Sequence, residues 1–62
     1  MTEKQKKFCI EYLKDLNATQ AAVRAGYSKD TAKEIGCENL TKPNIKKYID
    51  SQLDEYLSKS KV

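Results

Sequence analysis

The stretch Asn17 to Leu40 reads NATQAAVRAGYSKDTAKEIGCENL. It holds two helix starts with one sharp stop between them. Asn17, followed three residues later by Gln20, fits a capping box that opens a helix at Ala18. The TQAAVRA run continues that helix, and Gly26, the residue type that best tolerates a left-handed cap, ends it. Ser28 is placed to cap a second helix that begins KDTAKEIG. Helix, three-residue turn with glycine, helix is the pattern of a helix-turn-helix, expected here over residues 18–40.

Two helices joined so tightly must approach closely. Ala21, Ala22 and Ala25 give the first a methyl-lined surface, and Ala32 and Ile35 recur one turn apart on the second. Tyr27 sits in the turn, able to cover the seam. The third helix is expected from about Lys29 to Leu40, with Ala32, Ile35, Gly36, Asn39 and Leu40 on one face. Gly36 costs roughly 1 kcal/mol relative to Ala inside a helix. Leu40 continues the apolar period beyond it, so close backbone approach is the better reading of this glycine. Lys29, Asp30, Lys33, Glu34 and Cys37 fall on the opposite face. An ordinary helical hairpin in a small bundle is the plainer alternative, and the Ala22, Gly26, Ile35 spacing favours the DNA-binding version.

Outward from this centre, Thr2 and Gln5 form a capping box for a first helix near residues 3–15. Phe8, Cys9, Tyr12, Leu13 and Leu16 give it a core stripe, while Ile10 lies off the stripe and is expected to be exposed. Asp15, Leu16 and Asn17 connect it tightly to the next helix. After Thr41 and Lys42, Pro43 suits the first turn of a fourth helix, expected near residues 43–57. Ile45, Tyr48, Ile49 and Leu53 supply its apolar stripe. Tyr56 and Leu57 extend that stripe past what so small a core can cover, free to pack on another chain, and the closing SKSKV is expected to fray. The expected fold is therefore all-α: one small four-helix domain over residues 1–62 containing a helix-turn-helix.

A chain of 62 residues buries only about 60% of its unfolded surface. Twelve Lys and Arg against nine Asp and Glu leave a net charge of +3. That mild excess suits a nucleic-acid module working in several copies better than a strong stand-alone binder. Cys9 and Cys37 lie on different expected helices and histidine is absent, so a zinc site lacks ligands and both thiols read as reduced, in a cytosolic protein. No apolar run approaches the roughly 20 residues that span a membrane, and MTEKQKKF is too polar for a signal peptide. No nucleophile has a base beside it, and no glycine-rich phosphate loop is present. The carboxylates read as helix-surface partners for lysines, as with Asp30, Glu34 and Lys33. The chain is expected not to be an enzyme and to need no cofactor or metal.

TEKQKKFCIEYLKDLNATQAAVRAGYS, with the TA, IG, NL and KPNI that follow, resembles the N-terminal domain of bacteriophage terminase small subunits. The resemblance covers Thr2 to about Leu53, and is most specific in NATQAAVRAGYS and TEKQKKF. It implies a domain that binds viral packaging-site DNA, handed on to a large subunit that carries the ATPase and nuclease. It also implies a longer, homo-oligomeric parent protein, with this chain monomeric by itself, acting in the cytoplasm of the bacterial host. The DNA-contact candidates on the helix-turn-helix are Thr19, Gln20 and Arg24, then Ser28, Lys29, Asp30, Lys33, Glu34 and Cys37. Lys29 and Lys33 would reach guanine edges or phosphates, and Ser28, Thr19 and the amides opening the second helix would reach phosphates. Arg24 stays open between phosphate contact and complementing its helix dipole. Lys4 and Lys7, placed beside the helix-turn-helix by the resemblance, stay open between phosphate contact and simple solvation. A small transcriptional regulator with the same fold, and a helical protein-interaction module using the fourth helix, are the competing functions.

Overall fold

The computed structural model describes the backbone of residues 1–60 and the side chains of residues 1–55. Four helices follow one another: α1 (Glu3–Asp15), α2 (Ala18–Arg24), α3 (Ala32–Thr41) and α4 (Pro43–Ser60), with no strand among the described residues. The all-α expectation holds.

Each helix end has a local cause. At α1, Thr2 Oγ1 accepts from the Gln5 amide and Gln5 Oε1 accepts from the Thr2 amide, both at 3.1 Å, which completes the capping box. At α2, Asn17 Oδ1 accepts from the Gln20 amide at 3.1 Å, but the box is not reciprocal. The Asn17 amide donates instead to Asp15 Oδ1, so the connection itself satisfies that group. α2 stops in a Schellman arrangement: Tyr27 N–H donates to Ala22 O and Gly26 N–H to Val23 O. Gly26 has φ +102°, a conformation that an L side chain adopts only under strain.

The start of α3 corrects the expected boundary. Residues 28–31 form a separate turn, closed by Thr31 N–H and Thr31 Oγ1 donating to Ser28 O. Ser28 therefore does not cap α3. The helix begins at Ala32, with Thr31 before it, and the link between the two helices is longer than a three-residue turn. Lys29 and Asp30 sit in that turn rather than on the helix. The helix starts at Ala32 with no side-chain cap bond from Thr31. At the other end, Lys42 alone joins α3 to α4 in an extended conformation, as the residue before a proline prefers, and Pro43 takes the first helical position.

Among the described residues the core is small and rich in alanine: Phe8, Cys9, Ala21, Ala22, Ala25, Ala32, Ile45 and Ile49. Phe8 stacks on Tyr12 with centroids 6.0 Å apart. Tyr48 and Leu53 pack against this cluster from α4, and Tyr27 covers it from the turn. Leu16 is a correction. It was expected in the α1 stripe, yet it is the C-cap, left-handed at φ 58° and 56% exposed, because the chain has already turned away from the helix axis. Tyr56 and Leu57, expected to extend the α4 stripe, lie outside the described side chains, as does the expected frayed end, although the backbone stays helical through Ser60. Asn39 is buried on the inner face of α3 with no hydrogen-bond partner at Nδ2.

Gly36 shows why α2 and α3 fit. A β-carbon there would lie 2.7 Å from Ala18 O and 2.9 Å from Ala18 C. Neither atom belongs to a side chain that could swing aside, so the two backbones occupy the space themselves. A clamp on the surface joins α1 to α2. Arg24 Nη2 sits 3.0 Å from Asp15 Oδ2, and its Nε lies 3.9 Å from Glu11 Oε1. Lys14 also pairs with Glu11 at 3.0 Å. These three ion pairs lie on α1 and α2. Lys33 makes none with Asp30 or Glu34, contrary to the expected lysine–carboxylate pairing.

Gly36→Ala should destabilise the domain by roughly 1–3 kcal/mol, because overlap with a backbone carbonyl outweighs the helix-propensity gain of about 1 kcal/mol. Gly26→Val should cost about 1–3 kcal/mol through its left-handed backbone, whereas Cys37→Ser, on an exposed thiol, should leave the urea midpoint unchanged.

The Arg24 guanidinium holds the Asp15 carboxyl below the usual carboxylate range, with the Asn17 amide assisting. A depressed folded-state value gives stability that is present above the unfolded-state value and is lost as pH falls through the folded one. Asp15→Asn should therefore melt below the parent chain at neutral pH, and the gap should close in acid below the ordinary carboxylate range. A gap that persists there would mean that packing, not charge, carries the clamp.

Candidate nucleic-acid interface

α3 divides cleanly into two faces. Ala32, Gly36 and Asn39 are buried, while Lys33, Glu34, Cys37, Glu38 and Thr41 are exposed. Lys33 and Cys37 stand one turn apart on the open face, and Glu34 and Glu38 lie beside them. Glu34 occupies the first turn of α3, where a carboxylate complements the helix dipole. The open face therefore carries one cation, Lys33, against two carboxylates, Glu34 and Glu38.

The sequence-derived candidates separate into three groups. Lys33, Glu34 and Cys37 share the open face of α3. Ser28, Lys29 and Asp30 are exposed in the preceding turn, with the Ser28 carbonyl engaged by Thr31. Of the α2 candidates, Thr19 is half-buried, and Gln20 is exposed, with its backbone N–H bonded to the Asn17 side chain. Arg24 pairs with Asp15 and lies near Glu11, both on α1, so its contacts within the chain are those of the clamp.

The α1 candidates lie elsewhere and are basic. Lys4, Lys6 and Lys7 line a groove with Glu3, Ile10 and Ala25, so the groove opens where α2 ends. Lys4 is not merely solvated. Its Nζ lies 5.2 Å from the centroid of the Tyr27 ring. Sequence reasoning passed over Lys6 and gave Tyr27 only a covering role. No periodicity links Lys4 to Tyr27, because the contact exists only once α1 has packed beside the turn. Ile10 is 44% exposed, as expected, but it is part of the groove wall.

The two thiols differ. Cys9 is fully buried, and desolvation pushes its ionisation up, so it behaves as a small apolar core residue. Cys37 is exposed and free. Among the described residues no three His, Cys, Asp or Glu side chains gather as a metal site, and no helix is long and apolar enough to cross a membrane.

The sequence matches the family model for terminase small subunits over residues 1–62. It is 52% identical over 56 residues to the terminase small subunit of Bacillus phage SF6, covering 89% of this chain and 39% of that protein. It is 43% identical over 53 residues to that of Bacillus phage SPP1, covering 84% of this chain and 36% of that protein. For Staphylococcus phage 80alpha the identity is 41% over 56 residues, or 89% and 38% of the two chains. The chain thus spans under two fifths of the length of these relatives. With this match along its whole length, the chain belongs to the terminase small subunit family.

Proposed function

We propose that this chain is the DNA-binding portion of a terminase small subunit. It would recognise viral packaging-site DNA in the bacterial cytoplasm, for delivery to a large subunit that performs the ATP hydrolysis and cleavage. The observation that carries this reading is the packing of α2 on α3 through Gly36 and Ala18, which leaves the far side of α3 uncovered. α3 then enters the major groove with Lys33 and Cys37 toward the bases, while Lys29 and Ser28 in the turn meet the backbone. The chain performs no catalytic step of its own and uses no cofactor. Glu34 and Glu38 weaken the field of α3, so a monomer binds weakly, and tight recognition comes from several copies in a homo-oligomer.

Titration of the chain with duplex DNA at two salt concentrations, followed residue by residue by NMR, tests this. Shifts should centre on Lys29 to Cys37 and weaken as salt rises. Lys33→Ala should relax preference at one base pair by roughly 1–3 kcal/mol if Lys33 reads a base. It should instead flatten the log K against log salt plot by about 0.9 if Lys33 holds a phosphate. Preference for promoter over packaging-site DNA would make the chain a regulator. No shift at low salt, alone or fused to an oligomer, would make it a protein-interaction module.

A further inference from the structure

We propose that Lys4 is a backbone-phosphate contact held in position by Tyr27, so that α1 lays a second line of DNA contacts beside α3. This rests on the DNA-binding reading above and extends it to a different helix.

Three observations converge on Lys4. Its ammonium lies 5.2 Å from the centre of the Tyr27 ring, within cation–π range. The end of its stem passes Gly26, where Lys4 Cε lies 3.6 Å from the position a β-carbon would take. It also shares a groove with Lys6 and Lys7, bordered by Ala25 at the end of α2. Lys4 is thus exposed, yet flanked by a ring at its ammonium and by a bare glycine at its Cε.

The kind of partner matters. Arg24 and Lys14 are held by carboxylates, which cancel their charge. An aromatic ring attracts the ammonium without neutralising it, and an ammonium has three N–H donors, which a ring on one side does not use up. Lys4 therefore keeps its full charge while losing less freedom on binding than an unguided lysine. Glu3 is the one acidic neighbour lining the groove, against three lysines. A concave, cationic strip beside the helix-turn-helix fits a sugar-phosphate backbone, and contacts of that kind carry no sequence preference. Tyr27 acts through Lys4 and is a positioning residue.

The test measures affinity of the chain for a short duplex of arbitrary sequence at about 50 and about 200 mM salt. Variants are Lys4→Gln, Tyr27→Leu, Tyr27→Phe, and Lys4→Gln with Tyr27→Leu. One phosphate contact releases about 0.9 counterion, so the deficit of Lys4→Gln should be about 3.5-fold larger at the lower salt than at the higher. Tyr27→Phe keeps the ring and should bind as the parent does. Tyr27→Leu should weaken binding when Lys4 is present and change nothing further when it is glutamine. The proposal is overturned if Lys4→Gln has the salt dependence of the parent, if Tyr27→Phe loses as much as Tyr27→Leu, or if the two losses simply add. If the parent binds while Lys4→Gln is silent, only this inference falls. If the parent binds no duplex at either salt, the DNA-binding reading falls with it. Lys4→Gln changes an exposed side chain, so its result does not hinge on folding.

Discussion

Gly36 sets α3 against the carbonyl of Ala18, and most of the remaining structure follows from that approach. The core that accompanies this approach is rich in methyl groups, from Ala21, Ala22, Ala25 and Ala32. The seam also decides which side of α3 stays outside. Burying Ala32, Gly36 and Asn39 turns Lys33 and Cys37 to solvent. α1 and α4 then contribute the larger apolar groups, Phe8, Ile45 and Ile49, that the seam itself cannot hold.

A division of labour among the cations follows. Arg24 ties α2 to α1 through Asp15 and Glu11. Lys4 is met by an aromatic ring instead. The same net charge of +3 therefore says little until each positive group is traced to what it touches. Exposed ion pairs contribute only about 0–1 kcal/mol, so the clamp fixes geometry more than it adds stability.

The helices, the α1 cap, the Gly26 stop and the Gly36 approach were legible in the sequence because each has a local chemical cause. The start of α3 was misread because Ser28 has the residue type of a cap, while its carbonyl closes a separate turn with Thr31 and the helix begins only at Ala32. Leu16 was misplaced because its spacing continues the α1 stripe while its backbone has already turned into the next connection. The candidate site was less legible than the fold. The open face of α3 could be drawn from periodicity, but the pairing of Arg24 with Asp15, the groove that includes Lys6, and the seating of Lys4 on Tyr27 all depend on which elements become neighbours. Whether Lys33 reads a base or a phosphate is a property of the complex, and periodicity in one chain carries no trace of it.

The alanine content of the core has a consequence for how this domain responds to change. In most small proteins the sensitive positions are large side chains whose truncation leaves a void. Here half of the buried apolar positions already carry the smallest side chain that keeps a β-carbon. An alanine scan would pass over Ala21, Ala22, Ala25 and Ala32 unaltered and report a tolerant helix pair. The constraint at these positions is a ceiling on volume, visible only to substitutions that add atoms. Sequence drift in such a domain should be conservative at its smallest residues and freer at its larger ones, the reverse of the usual expectation for a hydrophobic core.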